Sequence, residues 1–134
     1  MQITQQQRTE LIAAALEGQK MAYCPYSNYP VGAAVLSDTG VIVKGCNVEN
    51  AAYPNGACAE KTAIGTAVAQ GHRNIVAVAI VTRDSGLPCG SCRQVLNEFG
   101  ADMWCIMLNG AGEVTMEMPL TQVLPHAFGP KNLL

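Results

Sequence analysis

Leu11, Ile12, Ala15, Leu16 and Gln19 fall at near-helical spacing behind Thr4 and Gln7, which have the form of a capping box. Together they predict a helix from about residue 5 to 22, which Pro25 cannot continue. Val31 to Leu36, the turn Ser37-Asp38-Thr39-Gly40 and Val41 to Val43 then read as a hairpin. From Cys58 the apolar residues Ala59, Ala63, Ile64, Ala67 and Val68 return to helical spacing, and Gly71 sits where a helix-ending glycine belongs. Ile75 to Val81 is an unbroken, β-branched run of strand length, and Met103 to Leu108 is similar, as expected of strands covered on both faces. Between them Pro88 precedes a helix over Cys89 to Phe99, stopped by Gly100. A loop at Asn109 to Gly112, a short strand near Val114 to Met116 and a helical turn or two at Leu120 to Leu124 follow, with an irregular tail after Pro125.

The order ββαβαββ between terminal helices predicts an α/β fold, a three-layer αβα arrangement around a single mixed sheet, because parallel neighbours require helical crossovers. No repeat or linker interrupts the 134 residues, so one domain over 1–134 is expected.

Composition narrows the function classes. Charged residues make up only 13%, against roughly a quarter in an average soluble domain, and this deficit points to a buried subunit interface. A net charge of −2 and a pI near 5.6 provide no basic stripe for phosphate backbones, so no nucleic-acid partner is expected. The early apolar run Leu11 to Leu16 is too short for a secretory core or a membrane span, which predicts a cytoplasmic protein without membrane attachment. In that compartment the six cysteines fit metal ligands or buried thiols better than disulfides. Cys24, Cys46 and Cys105 lack ligand spacing and read as buried thiols, and His72 and His126 as surface residues.

Cys89-Gly90-Ser91-Cys92 is a C-x-x-C at a helix start, where two thiolates share a face and the positive helix end favours their charge. Alone, it fits a structural or redox pair equally well. Cys58-Ala59-Glu60 opens the other predicted helix, so a third thiolate and a carboxylate stand at a second positive end. Three thiolates without a fourth protein ligand match a catalytic zinc, which keeps a position open for water. Downstream of the hairpin, Asn47 and Glu49 alternate along an extended segment, which puts an amide and a carboxylate on one side, suited to a sugar's vicinal hydroxyls.

With these motifs the chain resembles the cytidine deaminase family, in its small homotetrameric branch with a three-cysteine zinc site. Cys58-Ala59-Glu60 and the stretch Pro88 to Leu96 look like that family's two zinc motifs. Pro25-Tyr26-Ser27, Val31-Gly32-Ala33-Ala34, Gly45 to Tyr53 and Ala127-Phe128-Gly129-Pro130 extend the resemblance almost end to end. It implies one zinc per subunit, held by Cys58, Cys89 and Cys92. It also implies that the metal activates a water for attack at C4 of cytosine, while Glu60, not a ligand, moves the protons. Asn47 and Glu49 would bind the ribose, Tyr29 would stack on the pyrimidine where relatives usually carry phenylalanine, and Ala51 lies in the same substrate-binding segment. Tyr53 and Phe128 match positions that complete a neighbouring subunit's pocket, which implies a homotetramer with shared sites acting on a free nucleoside in pyrimidine salvage. Three thiolates leave the site net negative, and the positive compensation falls to the helix ends and to Lys61, where many relatives carry arginine, or to Arg93.

Blander readings exist for each residue. Glu60 as a first-turn acid contributes about 0.3 to 1 kcal/mol to a helix and nothing more. Asn47 also suits a turn, Glu49 a solvated strand, and the aromatics ordinary packing. The competing functions are a noncatalytic zinc or thiol module and a deaminase of another aminopyrimidine nucleoside such as blasticidin S.

Overall fold

The computed structural model describes residues 3–134. α1 (Gln5–Lys20) starts on a complete capping box: Gln7 N donates to Thr4 Oγ1 at 3.0 Å, and Thr4 N to Gln7 Oε1 at 2.9 Å. The chain then forms the hairpin β1 (Gly32–Ser37) and β2 (Ile42–Cys46), α2 (Ala59–Ala69), β3 (Ile75–Val81), α3 (Gly90–Phe99), β4 (Trp104–Leu108), β5 (Val114–Pro119) and the short α4 (Leu120–Val123). The strands form one mixed sheet in the order β2-β1-β3-β4-β5, antiparallel except for the β3/β4 pair, whose crossover is α3.

Side-chain alternation through the sheet separates two apolar layers. Val35, Val78, Ile80 and Met107 face α2 and α3, while Leu36, Ala79, Ile106 and Leu108 face Leu11 and Ala15 of α1. One helix on one face and two on the other make the three-layer αβα fold. β3 and β4 are buried almost throughout, as their unbroken apolar runs predict.

Two close approaches set where α2 begins. A Cβ on Gly45 would lie 2.5 Å from Ala63 N and 2.7 Å from Ala59 O, so the absence of a side chain in β2 lets the first turns of α2 rest on the sheet. At its far end α2 gives way after Gln70 to Gly71, whose φ of +92° is a left-handed conformation that glycine adopts without strain.

Small differences from the sequence expectation have local causes. α1 stops at Lys20, two residues short, and β5 runs to Pro119, since its pairing with β4 continues past Met116. Cys58 and Cys89 stand just outside their helices as N-caps with extended backbone, while Cys92 lies inside α3. Cys105 is buried, but Cys24 and Cys46 are only half-buried, because they sit on the exit from α1 and the last residue of β2. His72 is half-buried where its backbone closes the end of α2 on Ala67 O, and His126 is exposed.

Candidate active site

β2 and β3 run in the same direction on either side of β1, so their carboxyl ends open at one edge of the sheet. The segments leaving those ends, the segment entering β1 and the start of α2 enclose an open cleft of about 540 Å³. Ligand sites form outside the carboxyl ends of strands because the crossing chains diverge there.

Three cysteines meet at the base of this cleft. Cys58 caps α2, Cys89 caps α3, and Cys92 sits on the first turn of α3, completely buried. Their sulfurs all lie within 4.8 Å of one another, a spread that a single ion with bonds of about 2.3 Å can bridge. Neither capping cysteine uses its side chain to cap, so both sulfurs remain available at positive helix ends. A soft, anionic donor set of three sulfurs fits zinc and leaves a tetrahedral position for a water.

The cluster is electrostatically asymmetric. Cys58 is drawn down to about 6, chiefly by a hydrogen bond from the Cys92 thiol, with Cys89 and the Lys61 charge acting in the same direction. Cys92 is pushed up by the same hydrogen bond and by burial. Lys61 adds its positive charge to this cluster. Arg93 is committed elsewhere: Nε donates to Pro88 O at 2.7 Å and Nη1 to Val123 O at 2.8 Å, which ties the start of α3 to the end of α4.

Glu60, two residues after Cys58, is only 4% exposed and lines the same cleft. Burial raises its carboxyl above the usual range, and the nearby Cys58 charge adds to the rise. A solvated first-turn acid would show neither, so the surface-helix reading of Glu60 does not describe its surroundings.

Asn47 and Glu49 both line the cleft, and each also holds the segment opposite. Asn47 Nδ2 donates to Tyr29 O at 2.9 Å and its Oδ1 accepts from Val31 N at 3.0 Å. Glu49 Oε1 accepts from Tyr26 N at 3.0 Å and Ser27 N at 3.1 Å, and hydrogen bonding from Ser27 holds this carboxyl below the usual range. Tyr29 lines the cleft with its hydroxyl donating to Asp84 Oδ1 and the Arg83 guanidinium over its ring.

The remaining candidates separate. Tyr53, 74% exposed, borders its own chain's cleft and packs at 5.9 Å on Tyr26. Ala51 and Phe128 do not line that cleft, and Phe128 presents its ring to solvent at 59% exposure. Sequence reasoning missed Ser27, Ile80, Thr82, Gly86 and Leu87, which also line it. No spacing marks these residues, but Thr82 and Gly86 follow a predicted central strand, where a cleft of this fold class is to be sought.

Residues 5–108 match the family model described as the cytidine and deoxycytidylate deaminase zinc-binding region. The chain is 42% identical to a cytidine deaminase of Sporosarcina psychrophila, covering 92% of this chain and 93% of that one. It is 40% identical to a cytidine deaminase of Halalkalibacterium halodurans, covering 94% and 97%. Its fold superimposes on a crystal structure of cytidine deaminase from Burkholderia pseudomallei with a TM-score of 0.85, at 40% identity and covering 94% of this chain and all of that one.

Proposed function

Since this chain belongs to the cytidine and deoxycytidylate deaminase family, we infer that it is a zinc-dependent hydrolytic deaminase, which converts cytidine or deoxycytidine and water to the uridine nucleoside and ammonia. The observation that carries the reading is the joint position of a buried Glu60 and a three-sulfur cluster at the base of one nucleoside-sized cleft. Zinc on Cys58, Cys89 and Cys92 supplies Lewis-acid activation of the attacking water.

The chain's own groups perform the rest. Glu60, as carboxylate, takes a proton from the attacking water and passes it to ring N3, which makes C4 electrophilic as its new bond to oxygen forms. It then takes the second proton of that oxygen and delivers it to the exocyclic nitrogen, so that the C4–N bond breaks with loss of ammonia and a C4 carbonyl remains. Burial suits this task, since a carboxyl raised above its ordinary range takes up a proton more readily than a solvated one before passing it on. Asn47 and Glu49 bind the sugar hydroxyls, Tyr29 supplies an aromatic wall for the base, and Ala51 and Tyr53 extend the binding segment.

In this reading residues 1–134 form one deaminase domain that assembles as a homotetramer, with Phe128 completing a neighbour's cleft. Support comes from the exposed aromatic and apolar surface at Tyr23, Tyr26, Val48, Tyr53 and Phe128 together with the low charge content. Six cysteines without a disulfide and a net charge of −2 fit a cytoplasmic enzyme of pyrimidine salvage. No helix among the described residues is long and apolar enough to cross a membrane.

The test follows the absorbance lost as cytidine becomes uridine, with wild type beside a Glu60→Ala variant that retains its zinc. Wild-type turnover is expected to fall by about 100-fold or more in the variant. Equal turnover by the two proteins would remove Glu60 from the chemistry. Zinc-loaded wild type that leaves cytidine unchanged but converts another aminopyrimidine nucleoside would transfer the reading to that substrate.

A further inference from the structure

The hydroxyl that distinguishes Tyr29 from phenylalanine is engaged: it donates to Asp84 Oδ1, a charge-assisted bond between the segment entering β1 and the loop leaving β3. The same loop covers one face of the ring, where Arg83 Cζ lies 4.7 Å from the centroid, and Arg83 Nη1 reaches Asn28 O at 3.3 Å. Asp84 is itself anchored. Thr82, buried to 5% exposure, donates to Asp84 Oδ1 at 3.2 Å, and its hydroxyl accepts from Gly86 N at 2.7 Å. Tyr29, Thr82 and Gly86 line the cleft, whereas Asp84 does not, so Asp84 touches the site only through its partners.

We propose that Asp84 is a positioning residue for nucleoside binding: with Arg83 across the ring it clamps Tyr29 between the two loops and fixes the aromatic wall of the cleft. This rests on the reading of the cleft as a nucleoside site. An aromatic side chain on an exposed loop has two free torsions. A hydroxyl bond at its tip and a cation on its face remove that freedom before the base arrives, which strengthens binding through preorganisation. The loop so held ends at Cys89, and one connection therefore couples the base-stacking wall to the metal-binding end of the cleft. The clamp touches no reacting atom, so its loss weakens binding and leaves the chemical step intact.

The test compares wild type, Tyr29→Phe, Asp84→Ala and the double variant, all zinc-loaded. Each single change is expected to raise KM for cytidine about fivefold with kcat altered less than about twofold, and the double variant to show about fivefold rather than about 25-fold, because both changes break one connection. Hydrogen exchange of the 26–31 and 82–88 segments is expected to quicken together in all three variants without added nucleoside. Multiplying KM effects, a fall in kcat at constant KM, or unchanged exchange in both segments would each overturn the clamp. Wild type inactive on cytidine and on other aminopyrimidine nucleosides overturns the nucleoside reading and the positioning role with it, while the exchange result decides separately whether the two loops are joined.

Discussion

Asn47 shows how a residue can be correctly located by sequence and incompletely described by it. Alternation along the segment after β2 places Asn47 and Glu49 on one side, and both line the cleft. That pattern says nothing of what else their polar atoms meet, and the Asn47 amide joins Tyr29 O and Val31 N with its donor and acceptor ends in fixed order. A carboxylate has no donor to offer Tyr29 O, so Asn47→Asp faces two oxygens across that contact. Loss of a half-buried bond of this kind costs about 1 to 2 kcal/mol, and the variant is expected to melt about 5 °C lower as well as to bind nucleoside more weakly. A thermal unfolding curve unchanged from wild type would reduce Asn47 to a sugar ligand alone. The three clustered cysteines, by contrast, were legible: capping and first-turn positions of two helices are set by local spacing, and both helix starts rest on one sheet edge. Asp84 was not legible, because its meaning depends on Tyr29, 55 residues away, reaching it through the fold.

Elements were legible where periodicity is strong. The helix from about 5 to 22, the two central strands and the crossover between them follow from apolar spacing and from glycine and proline boundaries, and the structure shifts their ends by a residue or two. What periodicity omits is how elements are tied across the molecule. α1 is fastened to the far edge of the sheet by Arg8, whose Nε and Nη2 donate to the two Glu117 oxygens at 3.0 and 2.6 Å, with Trp104 Nε1 adding a bond at 2.9 Å. These bonds hold the Glu117 carboxyl below its ordinary value of 4.5, Arg8 being the largest cause. A carboxyl lowered on folding stabilises the fold fully above its unfolded value, and that contribution is lost as the pH falls through the lower, folded one. For a bidentate pair at the surface the expected gain is about 1 kcal/mol, or about 3 to 5 °C in Tm. Wild type is therefore expected to melt above Glu117→Gln at pH 7 by that amount, with the gap closing as the pH drops below the ordinary carboxylate range. A gap that persists or widens in acid would assign the stabilisation to packing of Trp104 and the Arg8 stem rather than to charge.

At the scale of the whole molecule, the proposed site divides between the groups that a single chain brings together and Phe128, which we propose it offers to a neighbour. Glu60, the three cysteines, Asn47, Glu49 and Tyr29 converge within the chain, whereas Phe128 holds its ring out to solvent. Its backbone is nevertheless fixed, because Phe128 O accepts from Gln94 Nε2 at 2.8 Å and from Asn97 Nδ2 at 3.3 Å. A ring presented on a pinned backbone suits delivery to another subunit, and truncating it leaves those bonds in place. Shared sites make a prediction that self-contained sites do not. Glu60→Ala subunits lack the proton carrier but can lend Phe128, and Phe128→Ala subunits retain Glu60 but cannot complete a neighbour. Equal mixing, by co-expression with two affinity tags and purification on both, then rebuilds intact sites wherever a Phe128→Ala subunit receives the ring of a Glu60→Ala neighbour. If assembly is random, half the sites keep Glu60 and half of those receive Phe128, so activity per subunit is expected at about a quarter of wild type, above either variant alone. A mixture no more active than the mean of its two parents would mean that each chain completes its own site, and Phe128 would then have no role in a neighbour's.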